Sequence, residues 1–250
     1  MSNKIAVTSG IVAIATGVVG LVGASMGVLD KFSGDKDADP AAALKRAPDV
    51  IDGYLSGPAF VEAWSKGVLC SSYDVETESC VSTMAIAQRS DTAVRSSEDL
   101  SYAIDDGSAT AEAVMAGVDA EVSGYGHLEQ TEYTITRTGI CATNAVLAQG
   151  ALAASPYAIS ADASEFWDLS DEAADDYRQA LAAEYSGAAV GGEQCWRAKR
   201  SADGRTLTLE TFLGDVRQPD TEVVYTVLPL GSEPAVGPGP VEEPAEDAES

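Results

Sequence analysis

Histidine is almost absent from this sequence, since His127 is the single one among 250 residues. Sites that need two histidines, which include most histidine zinc centres and the two-histidine iron centres, are therefore excluded. Aromatic residues make up only 6% of the chain, and many of its hydrophobic residues are alanines. We therefore expect a hydrophobic core of modest size.

Positive charge is also scarce, because 15 lysines and arginines stand against 40 aspartates and glutamates, for a net charge of -25. Such a chain cannot neutralise the phosphates of a nucleic acid, and that neutralisation is the main source of sequence-independent affinity. We predict that nucleic acid is not a partner.

Known catalytic motifs are missing as well. The sequence has no G-x-S-x-G elbow, no phosphate-binding P-loop, no dinucleotide-binding G-x-G-x-x-G before a helix and no haem-attachment C-x-x-C-H. We therefore predict no catalytic residue, no cofactor and no metal, and we expect that the chain is not an enzyme.

A charge-free apolar run extends from Ile5 to Leu29. As a helix these 25 residues would be about 37 Å long, enough to cross a hydrocarbon core about 30 Å thick. The alternative is a secretory signal peptide cleaved after Ala24, where small residues form a candidate cleavage site. The apolar stretch before that site is longer than signal peptides usually have, so we favour an uncleaved transmembrane helix.

Small residues line one side of this predicted helix. They recur at alternating steps of four and three, so one stripe carries only glycine or alanine. Small residues let helix backbones approach closely in lipid, and the stripe therefore predicts packing against other transmembrane helices, in a hetero- or homo-oligomer. The stripe consists of Ala6, Gly10, Ala13, Gly17, Gly20, Ala24 and Gly27.

The four cysteines all follow the apolar run, at Cys70, Cys80, Cys141 and Cys195. None belongs to a C-x-x-C motif, so two structural disulfides in an oxidising compartment are favoured over a redox or zinc motif. Three pairings are open. We favour Cys70–Cys80 with Cys141–Cys195, and free buried thiols are the alternative.

The remaining patterns predict an α+β fold, in which one N-terminal transmembrane helix precedes a small disulfide-bearing domain of antiparallel strands and a few helices. Helical patterns cover 59–66, 109–118 and 170–185; strand patterns cover 68–72, 80–88, 131–141, 195–199, 205–213 and 222–228. We divide the chain into a cytoplasmic start at 1–4, the transmembrane helix at 5–29, a linker at 30–40, an extracytoplasmic α+β domain at 41–230 and a disordered, acidic, proline-rich tail at 231–250.

Four of the few cations lie within nine residues of one predicted hairpin: Arg197, Lys199, Arg200 and Arg205. A solubilising hairpin edge accounts for them most simply. Contact with an acidic partner, a lipid headgroup or a small anion is the functional alternative. We also expect His127, in a glycine-containing turn, to face solvent.

Three functions follow from these patterns. The favoured one is a non-enzymatic, single-pass accessory or structural subunit of a membrane protein assembly, whose helix packs in the membrane while its acidic outer domain covers a partner. The alternative is a secreted or periplasmic small-ligand binding module, released after Ala24, that uses a cleft near Trp196 and the basic hairpin. An envelope hydrolase is third. The favoured function places the soluble domain in the periplasm or outside the cell.

Overall fold

The computed structural model describes residues 40–103, 107–118, 121–160, 165–187 and 192–237. The predicted transmembrane helix at 5–29, with its stripe of small residues, and nearly all of the predicted linker lie outside these ranges. Within the described ranges, no helix combines the length and the apolar character needed to cross a membrane.

The secondary structure of the described residues is mostly β. The helices are α1 (Pro40–Leu44), α2 (Gly57–Trp64), α3 (Ala109–Gly117), α4 (Asn144–Leu152) and α5 (Asp171–Gly187). The strands are β1 (Val50–Ile51), β2 (Tyr54–Leu55), β3 (Gly67–Ser71), β4 (Ser79–Cys80), β5 (Ser82–Arg89), β6 (Ala93–Ala103), β7 (Val122–Glu129), β8 (Glu132–Ile135), β9 (Ile140–Thr143), β10 (Ser155–Ser160), β11 (Phe166–Asp168), β12 (Glu193–Arg200), β13 (Thr206–Leu213), β14 (Val216–Arg217), β15 (Val223–Pro229) and β16 (Ala235–Val236).

Eight strands close into a barrel in the order β6, β5, β3, β15, β13, β12, β9, β8. The ring closes where β8 pairs with the first residues of β6, through Ala93 with Thr134 and Arg95 with Glu132. The predicted fold class, a transmembrane helix followed by a small α+β domain, is therefore wrong. Strand periodicity predicts individual strands, but ring closure depends on pairing between strands that are far apart in the sequence.

Strand β6 links the barrel to a second layer, because it has 11 residues and only its first part pairs with β8. Its last part pairs with β7, which continues to β10 and the edge strand β11. Helices α3, α4 and α5 cover one face of this extension, with α5 in contact with both of the others. Val114, Tyr125, Ala158, Tyr177 and Leu181 are among the residues of the core that they enclose.

Helix α2 packs inside the barrel. Its side chains Phe60, Val61 and Trp64 are fully buried in the same core cluster as Leu69 and Leu207 from the strands. The Trp64 indole N–H donates to the carbonyl oxygen of Met84 at 3.1 Å, which satisfies the only polar atom that this large side chain brings into the core.

Both predicted disulfides are confirmed, and none of the cysteines is free. Cys70–Cys80 joins β3 to β4, and Cys141–Cys195 joins the paired strands β9 and β12. Strand β16 lies parallel to β4 beside the first disulfide, with Val236 buried. The folded region therefore extends past residue 230, and 231–237 of the predicted tail belong to it; residues 238–250 lie outside the described ranges.

Candidate functional site

The predicted basic hairpin is formed by β12 and β13, and strand alternation separates its residues. Arg197 and Lys199 lie on the outer face of the barrel, while Arg200 and Arg205 are exposed at the end of the hairpin. Trp196 lies on the opposite face, where its ring contacts the inward-facing Tyr133 at a centroid distance of 5.3 Å. The predicted cleft that would combine Trp196 with the basic residues is therefore not formed.

A carboxylate that the sequence does not single out organises the outer face. Glu210 on β13 is only 1% exposed, and it accepts three hydrogen bonds. Lys199 Nζ donates to Oε1 at 2.7 Å, Arg217 Nε donates to Oε2 at 2.7 Å, and the Tyr54 hydroxyl donates to Oε2 at 2.5 Å. We call Tyr54, Lys199, Glu210 and Arg217 the Glu210 cluster.

The pKa values in the Glu210 cluster follow from these bonds. Burial acts to raise the pKa of Glu210, but the bonds from Lys199, Tyr54 and Arg217 outweigh burial and lower it to about 2. The same bonds to Glu210 raise the pKa values of Lys199 and Arg217. All three groups are therefore charged at neutral pH.

Two further groups border the Glu210 cluster. The guanidinium of Arg197 stacks over the Phe212 ring at 4.1 Å and pairs with the fully exposed Asp215 at 3.0 Å. Within the described ranges, its buried Nε has no hydrogen-bond partner. Glu222 approaches Arg217 from the solvent side at 3.5 Å, and its side chain is half exposed. The arrangement fixes two cationic head groups on one buried anion, with a solvent-screened carboxylate at the rim.

A second group of titratable side chains lies where β6 leaves the barrel. Glu98 on β6 and Glu129 on β7 are directly opposite each other across the two strands. The Tyr133 hydroxyl donates to Glu98 Oε1 at 2.7 Å, and the Ser96 hydroxyl donates to the same oxygen at 3.1 Å. Glu129 is 7% exposed, and its Oε2 has no hydrogen-bond partner among the described residues. We call Glu98 and Glu129 the junction pair.

His127, expected in a solvent-facing turn, is instead 2% exposed on strand β7. Its Nδ1 shares a hydrogen bond of 2.6 Å with the Tyr177 hydroxyl, and its Nε2 lies 3.9 Å from Glu129 Oε2. Burial lowers the pKa of His127 to about 4, so the ring is neutral at pH 7. The glycines that indicated a turn, Gly124 and Gly126, are strand residues.

Burial also governs the junction pair. It raises the pKa of Glu129 to about 8, with repulsion from Glu98 adding to the effect, and it raises the pKa of Glu98. Neither carboxyl group is predictable as special from the sequence, because Glu98 and Glu129 stand in acidic, polar stretches like many others in this chain. Only the pairing of β6 with β7 brings them together.

One group of potential metal ligands stands out in the described part of the chain. Ligand atoms of Cys141, Glu193 and Cys195 lie within 4.8 Å of one another. The two sulfurs are bonded to each other, so they offer no thiolate for a metal in the oxidised chain.

The fold and the two clusters thus define a mostly β, disulfide-bonded domain with a helix-filled barrel. Comparison with protein-family models, with curated protein sequences and with solved structures gave no match.

Proposed function

We propose that this chain is a non-enzymatic, extracytoplasmic binding domain that holds a small anion at the Glu210 cluster. One observation carries the proposal: Lys199 and Arg217 are fixed side by side on the two oxygens of a single buried carboxylate. Together they carry one more charge than Glu210. A carboxylate or phosphate group on the ligand would pair with the outer side of both cations.

Both cationic head groups are anchored on one side and open to solvent on the other. The Lys199 side chain is 45% exposed and that of Arg217 is 46% exposed, so each keeps N–H donors that Glu210 does not use. Because Glu210 already orders these side chains, an anion would bind with little further loss of rotamer entropy. Two charge-assisted hydrogen bonds correspond to a Kd on the order of 1 mM.

The location and the absence of catalysis are parts of the same proposal. Two disulfides support an oxidising compartment, and hence a place outside the cytoplasm. The single histidine is buried against Tyr177, away from any role as a solvent-facing general base. The membrane-subunit hypothesis depends on the helix predicted at 5–29, which lies outside the described residues.

The test is phosphate binding by the full chain at constant ionic strength. Binding is measured in two ways, by calorimetry and by the shift in melting temperature. We expect the double variant K199Q/R217Q to bind phosphate at least about tenfold more weakly, since it loses both charge-assisted bonds. E222Q should bind phosphate more tightly than the parent chain, because the competing rim carboxylate is gone.

K45Q/R95Q is the control for charge, since it too removes one lysine and one arginine. These two cations pair with exposed carboxylates on other parts of the surface. It should bind phosphate like the parent chain. Equal loss of binding in K199Q/R217Q and K45Q/R95Q would mean that net charge alone attracts the anion, and no phosphate binding by the parent chain would reject the proposal outright.

A further inference from the structure

The junction pair places two carboxyl groups where the barrel meets the helical layer. Glu98 and Glu129 are cross-strand partners on the face that turns toward the interior, so their Cβ atoms are about 5 Å apart. β6 pairs with β8 of the barrel up to Arg95, and from Glu98 onward it pairs with β7 of the extension. The pair therefore lies at the point where β6 leaves the barrel and continues into the extension.

The groups that surround the pair are acids, tyrosines and one neutral histidine. Among described residues they come from every element packed against it: Tyr133 from β8, His127 from β7, Tyr225 from β15, and Tyr177, Glu184 and Tyr185 from α5. None of them is a lysine or an arginine. Two ionised carboxylates in this environment would repel each other with no cation to compensate them.

The hydrogen bonds distinguish the two carboxyl groups. Glu98 accepts hydrogen bonds from the hydroxyl groups of Ser96 and Tyr133, and such bonds favour its ionised form. Glu129 Oε2 is buried and accepts no hydrogen bond from the part of the chain that the structure describes, although an ionised oxygen at this depth needs donors. A proton on Glu129 removes the charge, and with it the larger part of the cost of burying this oxygen without a partner.

We propose that the junction pair is a proton-binding site, in which Glu129 is the neutral acid and Glu98 the carboxylate, and that release of this proton to water loosens α5 from the barrel. Helix α5 is the element that responds, because Tyr177 contacts His127 and Tyr185 packs against both core clusters. A new charge on Glu129 would interact electrostatically with both tyrosines. The shared proton belongs to the pair as a whole in any titration.

The sign of the pH dependence follows from the direction of each pKa shift. The pKa of Glu129 is raised from 4.5 to about 8, so its contribution to stability is complete below pH 4.5 and is lost as the pH rises through 8. The pKa of His127 is lowered from 6.5 to about 4, so His127 reduces stability as the pH falls through that interval. Between pH 6.5 and 8, His127 is mostly neutral in both the folded and the unfolded chain. The pH dependence of stability in this interval therefore reports the junction pair and not His127.

The experiment is urea unfolding of the full chain from pH 6.5 to 8. For the parent chain, release of one proton raises the unfolding equilibrium constant by up to about tenfold per pH unit. E129Q should remove most of this slope, because an amide is neutral throughout. E112Q is the control: Glu112 is exposed on α3, and its removal should leave the slope unchanged.

Two measurements on the parent chain keep the proposal falsifiable if E129Q does not fold. The infrared C=O band of a protonated carboxyl group should be present at pH 6.5 and absent at pH 9. Hydrogen exchange, corrected for intrinsic rates, should accelerate in α5 at pH 9 while the amides of α2 keep their protection. The proposal would be overturned if the carboxyl band were absent at pH 6.5, or if exchange changed equally in both helices. Stabilisation of the chain by Ca²⁺ would also overturn it, because the pair would then bind a metal ion in place of the proton.

Discussion

At the scale of a single residue, two opposing effects determine whether the Glu210 side chain is ionised. Its burial disfavours the carboxylate, while Lys199, Tyr54 and Arg217 each donate a hydrogen bond to it. These donors come from three different strands, since Lys199 is on β12, Tyr54 on β2 and Arg217 on β14. Glu210 therefore ties the β1–β2 hairpin and β14 to the outer wall of the barrel, besides ordering the cations for a ligand.

Replacing Glu210 by glutamine should destabilise the chain at neutral pH. The pKa of Glu210 is lowered from 4.5 to about 2, so its charge contributes stability above pH 4.5 that is lost as the pH falls through 2. We expect E210Q to cost about 2 kcal/mol at pH 7, less than the shift alone implies because solvent screens its half-exposed partners. Urea unfolding at pH 7 and at pH 3 measures this, with a smaller difference at pH 3.

E222Q is the comparison for E210Q, because Glu222 contacts the same arginine but is half exposed. Its free energy of unfolding should change by less than about 0.5 kcal/mol. Equal effects of E210Q and E222Q would show that burial of the carboxylate is unimportant here.

The role of a residue was predictable from the sequence only where its chemical type alone indicates that role. The cysteine count and spacing predicted both disulfides, and the cluster of cations predicted the basic hairpin. Glu210, Glu98 and Glu129 were not predictable, because their partners come from strands that are distant in sequence. His127 was misplaced because a glycine on each side of Tyr125 resembles a turn, whereas these glycines lie in β7.

Several elements form where local signals predict them. Helix α5 begins after Ser170, whose hydroxyl oxygen accepts a hydrogen bond from the Ala173 N–H. The strands predicted at 195–199, 205–213 and 222–228 correspond to β12, β13 and β15. The predicted strand at 131–141 is instead two strands, β8 and β9. A tight turn separates them, with the Thr136 N–H donating to the Gly139 carbonyl at 2.9 Å. Threonine at the turn continues the strand pattern, so periodicity alone cannot detect this break.

Gly57, at the start of α2, is the residue that sets how closely this helix approaches the β8–β9 turn. A Cβ atom there would collide with the backbone carbonyl oxygens of Thr136 and Gly139. Alanine ordinarily favours a helix over glycine, but here we expect G57A to destabilise the chain by about 1–3 kcal/mol. Thermal unfolding checks this. G237A should be neutral, since a Cβ at Gly237 meets no atom within 4 Å, and a neutral G57A would mean that the turn can move away.

At the scale of the whole molecule, closure of the barrel leaves most of its strands without free edges. The edge strands of the described sheet are short: β11 has three residues and β14 has two. Ring closure requires β8 to pair with β6 and β9 to pair with β12. The second pairing joins strands that are more than fifty residues apart, since Cys141 and Cys195 are separated by 54 residues. No local pattern encodes these pairings. The sequence patterns therefore predict the barrel strands other than β6, but they miss β6, β7, β10 and β11, the closure of the barrel and the layer formed with α3, α4 and α5.

The two disulfides should stabilise this molecule unequally, because they close loops of different length. Cys70–Cys80 spans 10 residues within one corner of the barrel, whereas Cys141–Cys195 spans 54 and encloses α4, β10, β11 and α5. Loop entropy gives about 3 kcal/mol for the first and about 4 kcal/mol for the second.

We therefore expect C141A/C195A to unfold at lower urea concentration than C70A/C80A, with the parent chain above both. The two variants are matched, because each replaces two buried cysteines by alanines. The larger loop also contains most of the helical layer, so its opening should expose α5 to hydrogen exchange, while loss of Cys70–Cys80 should affect mainly β4 and the β16 strand that pairs with it. The reverse order of stability would mean that local packing around Cys70 and Cys80, rather than loop length, determines what each disulfide contributes.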